Sequence, residues 1–192
     1  GQCISFDGQG DFVGSGTPLN GLGSAFTVEC WVRPASRQAQ YADIFGNHLG
    51  GGRGFVLQQA GKKTNQFTGS IGTGNNNWTL TPPVMLTAGK WQLLAMVRTP
   101  TALQLFLDGR KRVAAMTSEK VQPSPLEFRV GLGITILERC FQGEIDELRV
   151  YRGIPKRYRT HRPNLPHDRF AQAAWASYCR ILITANEFLY VD

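Results

Sequence analysis

Three carboxylates crowd into one short stretch of this chain: Glu144, Asp146 and Glu147 within FQGEIDELRVY, residues 141–151. No other run of acids in the sequence is as dense. Acids so spaced can act in three ways. Two on one strand face can serve as acid and base, several can ligate a hard cation through oxygen, or all can form a solvated sheet face. Other catalytic constellations are missing. His48, His161 and His167 stand in loop-like segments far apart, with neither a GxSxG elbow nor an HExxH pair. Gly72-x-Gly74 and the Gly50–Gly54 cluster lack the lysine or helix that would cradle a phosphate, so they read as loop glycines. Cys3, Cys30, Cys140 and Cys179 have no metal-binding spacing, and zinc is not expected.

A second set of residues could hold a ligand rather than transform one. Tyr41, Asn47, His48 and Arg53 lie in or beside a glycine-dense loop, and Asn75, Asn76, Asn77 and Trp78 at a turn-rich tip. Sugars stack on aromatic faces and take hydrogen bonds from amides, charged groups and imidazoles, a mixture that Trp78 beside three asparagines offers. Trp78 also suits a core position at the start of WTLTPP, and the sequence leaves both readings open.

The elements that must position these residues are strands. Residues 141–151 alternate apolar and polar, with one slip near Glu147 that reads as a bulge. Phe141, Ile145, Leu148 and Val150 are expected to face inward, leaving Gln142, Glu144, Asp146 and Arg149 for the other side or a rim. Cys3–Val13 reads as two short strands about a DGQG turn, where Asp-Gly signals a hairpin. FTVECWVRP alternates until Pro34 ends it. Short strands follow near residues 43–46, 54–59, 66–71, 90–98, 102–107, 112–116 and 127–133. Strands at this spacing predict an all-β, two-sheet antiparallel sandwich over residues 1–151, with Trp31 and Trp91 in its core.

Beyond Tyr151 the character changes. Arg152, Lys156, Arg157, Arg159 and Arg162 come without an intervening acid, and the stretch reads as an extended, solvated basic linker. From Asp168 a helix is expected, its apolar stripe formed by Phe170, Ala174, Tyr178, Ile181, Leu182 and Ala185, ending near Asn186. That stripe must pack on the sandwich or on a partner; Trp175 lies off it. The net charge of +7 carries no nucleic-acid motif with it, so no nucleic-acid partner is expected. Neither a membrane-spanning run nor a leader pattern is read in the 192 residues.

Taken together, FDGQGDFV, FTVECWVRP, KWQLLAMVR, LQLFLDG and FQGEIDELRVY resemble the laminin-G-like, concanavalin A-like lectin/glucanase superfamily over Gln2–Tyr151. The resemblance implies a jelly-roll sandwich with neighbouring first and last strands, and a module that binds glycans or proteins, often beside other domains of a larger chain. AWASYCRILITANEFLYVD resembles the ends of planctomycete-type surface proteins, which implies a secreted or cell-envelope setting.

Within that superfamily, laminarinase-type hydrolases use an E-I-D-x-x-E strand whose two glutamates serve as nucleophile and acid. Glu144 and Asp146 match, but the second glutamate falls on Arg149, which can neither give nor take a proton near neutral pH. The resemblance therefore points to a non-enzyme. Many relatives hold a structural calcium, and if the first and last strands pair, Asp7 and Asp11 could approach Asp146 and share a Ca2+ ion. The same pairing raises a Cys3–Cys140 bridge.

Overall fold

Alternation at period two dominates the chain and produces sheets. The structure, a computed structural model, describes residues 3–62, 64–133 and 138–155. Among them thirteen strands form two antiparallel sheets, with no helix. The six-stranded sheet runs β1 (Ile4–Asp7), β13 (Gln142–Arg152), β3 (Phe26–Pro34), β9 (Gln92–Thr99), β10 (Ala102–Leu107), β11 (Arg110–Met116). The other runs β2 (Val13–Pro18), β12 (Glu127–Val130), β4 (Asp43–Gly46), β5 (Phe55–Gln59), β6 (Gln66–Gly74), β7 (Asn77–Leu80), with β8 (Val84–Met85) also on β6. The expected helix, Trp175 and Cys179 lie outside the described residues.

The core fills the space between the sheets. Phe26, Val28, Cys30 and Val32 of β3 meet Leu94 and Met96 of β9 from one side and Phe45, Phe55 and Leu57 from the other. Phe26 and Phe55 touch across the layers with ring centroids 5.1 Å apart. Truncating one such ring costs roughly 3–5 kcal/mol, because the neighbours cannot close the hole.

In β13 the expected bulge is present. Asp146 sits opposite Trp31 but Arg149 opposite Glu29, so one extra residue is absorbed at Glu147, whose φ is 51°. The slip keeps Ile145, Leu148 and Val150 in the core. The polar side is less wet than its sequence implied: only Gln142 is exposed, Glu144 is half-buried, and Asp146 and Arg149 are buried.

Three further expectations are corrected. The DGQG turn is not a hairpin: β1 pairs with β13 in one sheet and β2 with β12 in the other, so the turn carries the chain between layers. Cys3 and Cys140 are not disulfide-bonded. Ile4 pairs with Ile145 and Asp7 with Gln142, which puts the cysteines beyond opposite ends of this ladder. At about 3.3 Å per residue they are roughly 20 Å apart, far beyond the reach of a bridge. Trp91 is half-buried beneath the Arg33 guanidinium, 5.4 Å from its ring, and Trp31 lies on the outer side of its sheet rather than between the layers.

Candidate functional site

The seven-stranded sheet turns its outer side toward a groove of about 420 Å3. Leu57 and Ile71 point into the core, so period two sends Val56 and Gln58 of β5 and Ser70 of β6 the other way. Trp78 and Leu80 of β7 continue the floor, while His48 and Arg139 close one side. Three buried polar atoms of these lining residues have no hydrogen-bond partner: Gln58 Oε1, Ser70 Oγ and His48 Nδ1. Trp78 is half-exposed and meets the His48 ring edge-on at 6.2 Å. Of the two readings left open for Trp78, this is the surface one.

Behind the groove lies a chain of charges. Arg139 Nη1 donates to His48 Nε2 at 3.1 Å, and His48 Nδ1 stands 3.5 Å from Asp43 Oδ2 without hydrogen-bond alignment. Burial, helped by the Arg139 charge, lowers the His48 pKa to about 4, so the imidazole is neutral. Burial also raises the Asp43 carboxyl well above the usual range, with Arg139 pulling the other way. The same guanidinium lies 5.2 Å over the Tyr41 ring, so Tyr41 belongs to this cluster.

The remaining predicted ligand residues have structural work. Asn47 is buried: its Oδ1 accepts from Phe55 N at 3.1 Å and its Nδ2 donates to Leu19 O. Arg53 bridges to Leu49 within the glycine-dense loop, which lies directly on β6. Gly72 N donates to Gly54 O and Gly74 N to Gly52 O, and a Cβ on Gly72 would stand 2.3 Å from the Gly52 carbonyl carbon. Asn75 and Asn76 turn the β6–β7 hairpin with φ of 52° and 61°, a left-handed pair that asparagine tolerates. Asn77, exposed, begins β7. The sequence thus singled out His48 and Trp78 at the groove and Tyr41 against Arg139, and missed Gln58, Ser70, Leu80 and Arg139 of the lining and Asp43 behind His48. For Gln58 and Ser70 a signal existed, since each is a polar residue out of phase with the core positions of its strand.

The acids do not converge. Asp11 Oδ2 accepts from Asp7 N at 3.1 Å and Asp7 Oδ1 from Gln9 N at 2.6 Å, so both shape the turn. Asp7 is level with Gln142, four residues along β13 from Asp146 and therefore about 13 Å away. Asp146 Oδ1 accepts from Glu147 N at 2.8 Å. Among the described residues no three His, Cys, Asp or Glu side chains form a metal-binding group, and this set does not fit one shared calcium. Glu144 pairs with Arg33. Arg149 sits between Glu29, at 3.5 Å, and Glu147.

A second cavity, about 450 Å3, opens between residues 19–24 and 118–124. Its buried polar side chains are engaged: Arg98 donates to the carbonyls of Ala102, Thr117 and Glu119, and Ser124 Oγ accepts from Leu126 N.

The sequence model of one family, described as the concanavalin A-like lectin/glucanases superfamily, matches residues 7–155. No curated protein matches the chain. Among solved structures, mouse laminin α1 domains LG4-5 superpose with a TM-score of 0.61 at 14% identity, over 78% of this chain and 40% of that one. Domain 4 of an extracellular arabinanase from Geobacillus stearothermophilus, solved with arabinotriose, gives 0.58 at 18% identity, over 80% and 71%. The binding domain of botulinum neurotoxin DC, in complex with SialylT, gives 0.53 at 10% identity, over 90% and 38%. At these identities the likeness is one of fold.

Proposed function

Because this chain belongs to the concanavalin A-like lectin/glucanases superfamily, we propose that it is a non-catalytic module that binds a carbohydrate on the outer face of its seven-stranded sheet. One observation carries this reading: an aromatic ring, Trp78, shares a groove with residues whose buried polar atoms have no hydrogen-bond partner, Gln58 Oε1 and Ser70 Oγ. A sugar ring has an apolar face for Trp78 and hydroxyls that both donate and accept. Such hydroxyls suit both atoms, each costing about 1–3 kcal/mol when dry and unpaired.

The same residues argue against turnover. His48 Nε2, the nitrogen a general base would use, accepts from Arg139 instead of a hydroxyl. On the E-I-D strand the second acid is Arg149, held between two glutamates. In this reading the module works in a secreted or cell-envelope protein, beside other domains of a larger chain.

A glycan array tests the reading. Trp78→Ala is expected to weaken binding of any hit about tenfold or more, a loss of roughly 1.4 kcal/mol, with an unchanged melting temperature. Hits that bind Trp78→Ala and Gln58→Ala as tightly as the parent would refute it.

A further inference from the structure

Among the described residues that line the groove, Arg139 alone carries a fixed charge. Val56, Trp78 and Leu80 are apolar, Gln58 and Ser70 are neutral, and His48, its pKa lowered to about 4 by burial, is uncharged. Arg139 is half-buried, and it differs from the other described arginines that are not exposed. Arg33 pairs with Glu144, Arg129 with Glu127, and Arg149 with Glu29 and Glu147. Arg98 donates to backbone carbonyls. No carboxylate of the described residues forms an ion pair with Arg139, which meets the His48 ring at 3.1 Å through Nη1 and the Tyr41 ring at 5.2 Å. Asp43 stands across the imidazole, 3.5 Å from Nδ1, and burial pushes its carboxyl toward the neutral form.

We propose that the groove selects a sugar that carries a carboxylate, a uronic-acid residue, with the carboxylate on Arg139 and the sugar ring on Trp78. This rests on the carbohydrate reading above and names the class of sugar. The His48 bond takes one N–H of the guanidinium and leaves the others. A planar carboxylate matches that fork through parallel charge-assisted hydrogen bonds, roughly twice as strong as neutral ones. The placement suits one ligand. Arg139 Nη1 bonds the imidazole whose other neighbour, at 6.2 Å between centroids, is the Trp78 ring, so one or two linked sugars reach both. Tyr41 backs the guanidinium and His48 holds one edge, which sets the fork before a ligand arrives. A neutral sugar would cover the same charge and leave it unbalanced, which is costly.

Titration with matched oligosaccharides, each a uronic-acid oligomer and its carboxyl-reduced neutral counterpart, tests the inference. The parent protein should bind the acidic member about tenfold or more tightly, and added salt should narrow the gap. Arg139→Gln should bring the two members to within about twofold of each other, while Trp78→Ala weakens both. Should Arg139→Gln lower the melting temperature, Arg139→Lys, which keeps the charge, must retain part of the preference. A parent that binds the neutral member as tightly or more tightly, or a folded Arg139→Gln that keeps the preference, would overturn the inference. If Trp78→Ala still weakens that binding, the carbohydrate reading stands without it. Binding of both members that ignores Trp78→Ala would overturn the carbohydrate reading itself.

Discussion

Arg139 and His48 are joined by a 3.1 Å hydrogen bond in which the guanidinium donates to Nε2. Because Arg139 has only protons to offer, the imidazole must carry its own on Nδ1, the atom that stands 3.5 Å from Asp43 and has no hydrogen-bond partner. The pair fixes the tautomer at the groove wall and keeps a cation on the far side of the ring.

That arrangement has a pH signature. The folded pKa of His48, about 4, lies below the unfolded value of 6.5, so the unfolded chain binds the extra proton. The stability tied to His48 is whole above about pH 6.5 and is lost as pH falls toward 4. At about 1.4 kcal/mol per pH unit the loss is about 3 kcal/mol. Asp43, raised in the folded state, slopes the other way, so the readout is a difference. Urea titrations at pH 7 and pH 4 should show the parent losing more stability than His48→Gln; equal losses would contradict the assignment.

Gly72 holds the loop against the sheet. A methyl group there meets the Gly52–Arg53 backbone, which is itself tied to β6 by hydrogen bonds and cannot step aside without breaking them. Gly72→Ala should cost about 1–3 kcal/mol in urea unfolding. By displacing the β6–β7 edge it should also weaken any ligand held by Trp78, whereas Gly50→Ala, with open space around its Cβ position, should leave stability unchanged.

Restoring the missing glutamate should not create a hydrolase. Arg149 is buried against Glu29 and Glu147, so Arg149→Glu gathers three acids in one dry row. Breaking a buried ion pair costs about 3–5 kcal/mol. Denaturation should show a loss of that order, and a reducing-sugar assay on laminarin should stay at background. Turnover in this variant would mean that Glu144 is placed for catalysis.

A calcium ion shared by Asp7, Asp11 and Asp146 is inconsistent with the β1–β13 register. An ion at a hundredfold excess over its Kd stabilises the folded state by about 2.7 kcal/mol. Added calcium and EDTA should therefore leave the melting temperature the same; a clear rise with calcium would require another set of ligands.

The sandwich, its bulge at Glu147 and the inward set Phe141, Ile145, Leu148 and Val150 were legible because period two holds on either side of a single slip in β13. The groove was only half legible. Tyr41, His48 and Trp78 stand out by chemistry, but Asp43, Gln58 and Arg139 come from β4, β5 and the segment before β13. Only the order of strands in the sheet brings them together. The Cys3–Cys140 and Asp7–Asp146 expectations failed for one reason: that two strands pair says nothing of register, and four to six residues of register are 13–20 Å.

Chemical-shift mapping of the 15N-labelled chain against its best array glycan tests the central claim most directly. The account predicts that the largest shifts fall on the Trp78 indole N–H, the Gln58 side-chain amide and the backbone amides of Val56 and Ser70. Shifts gathered instead at residues 19–24 and 118–124, around the second cavity, would contradict it.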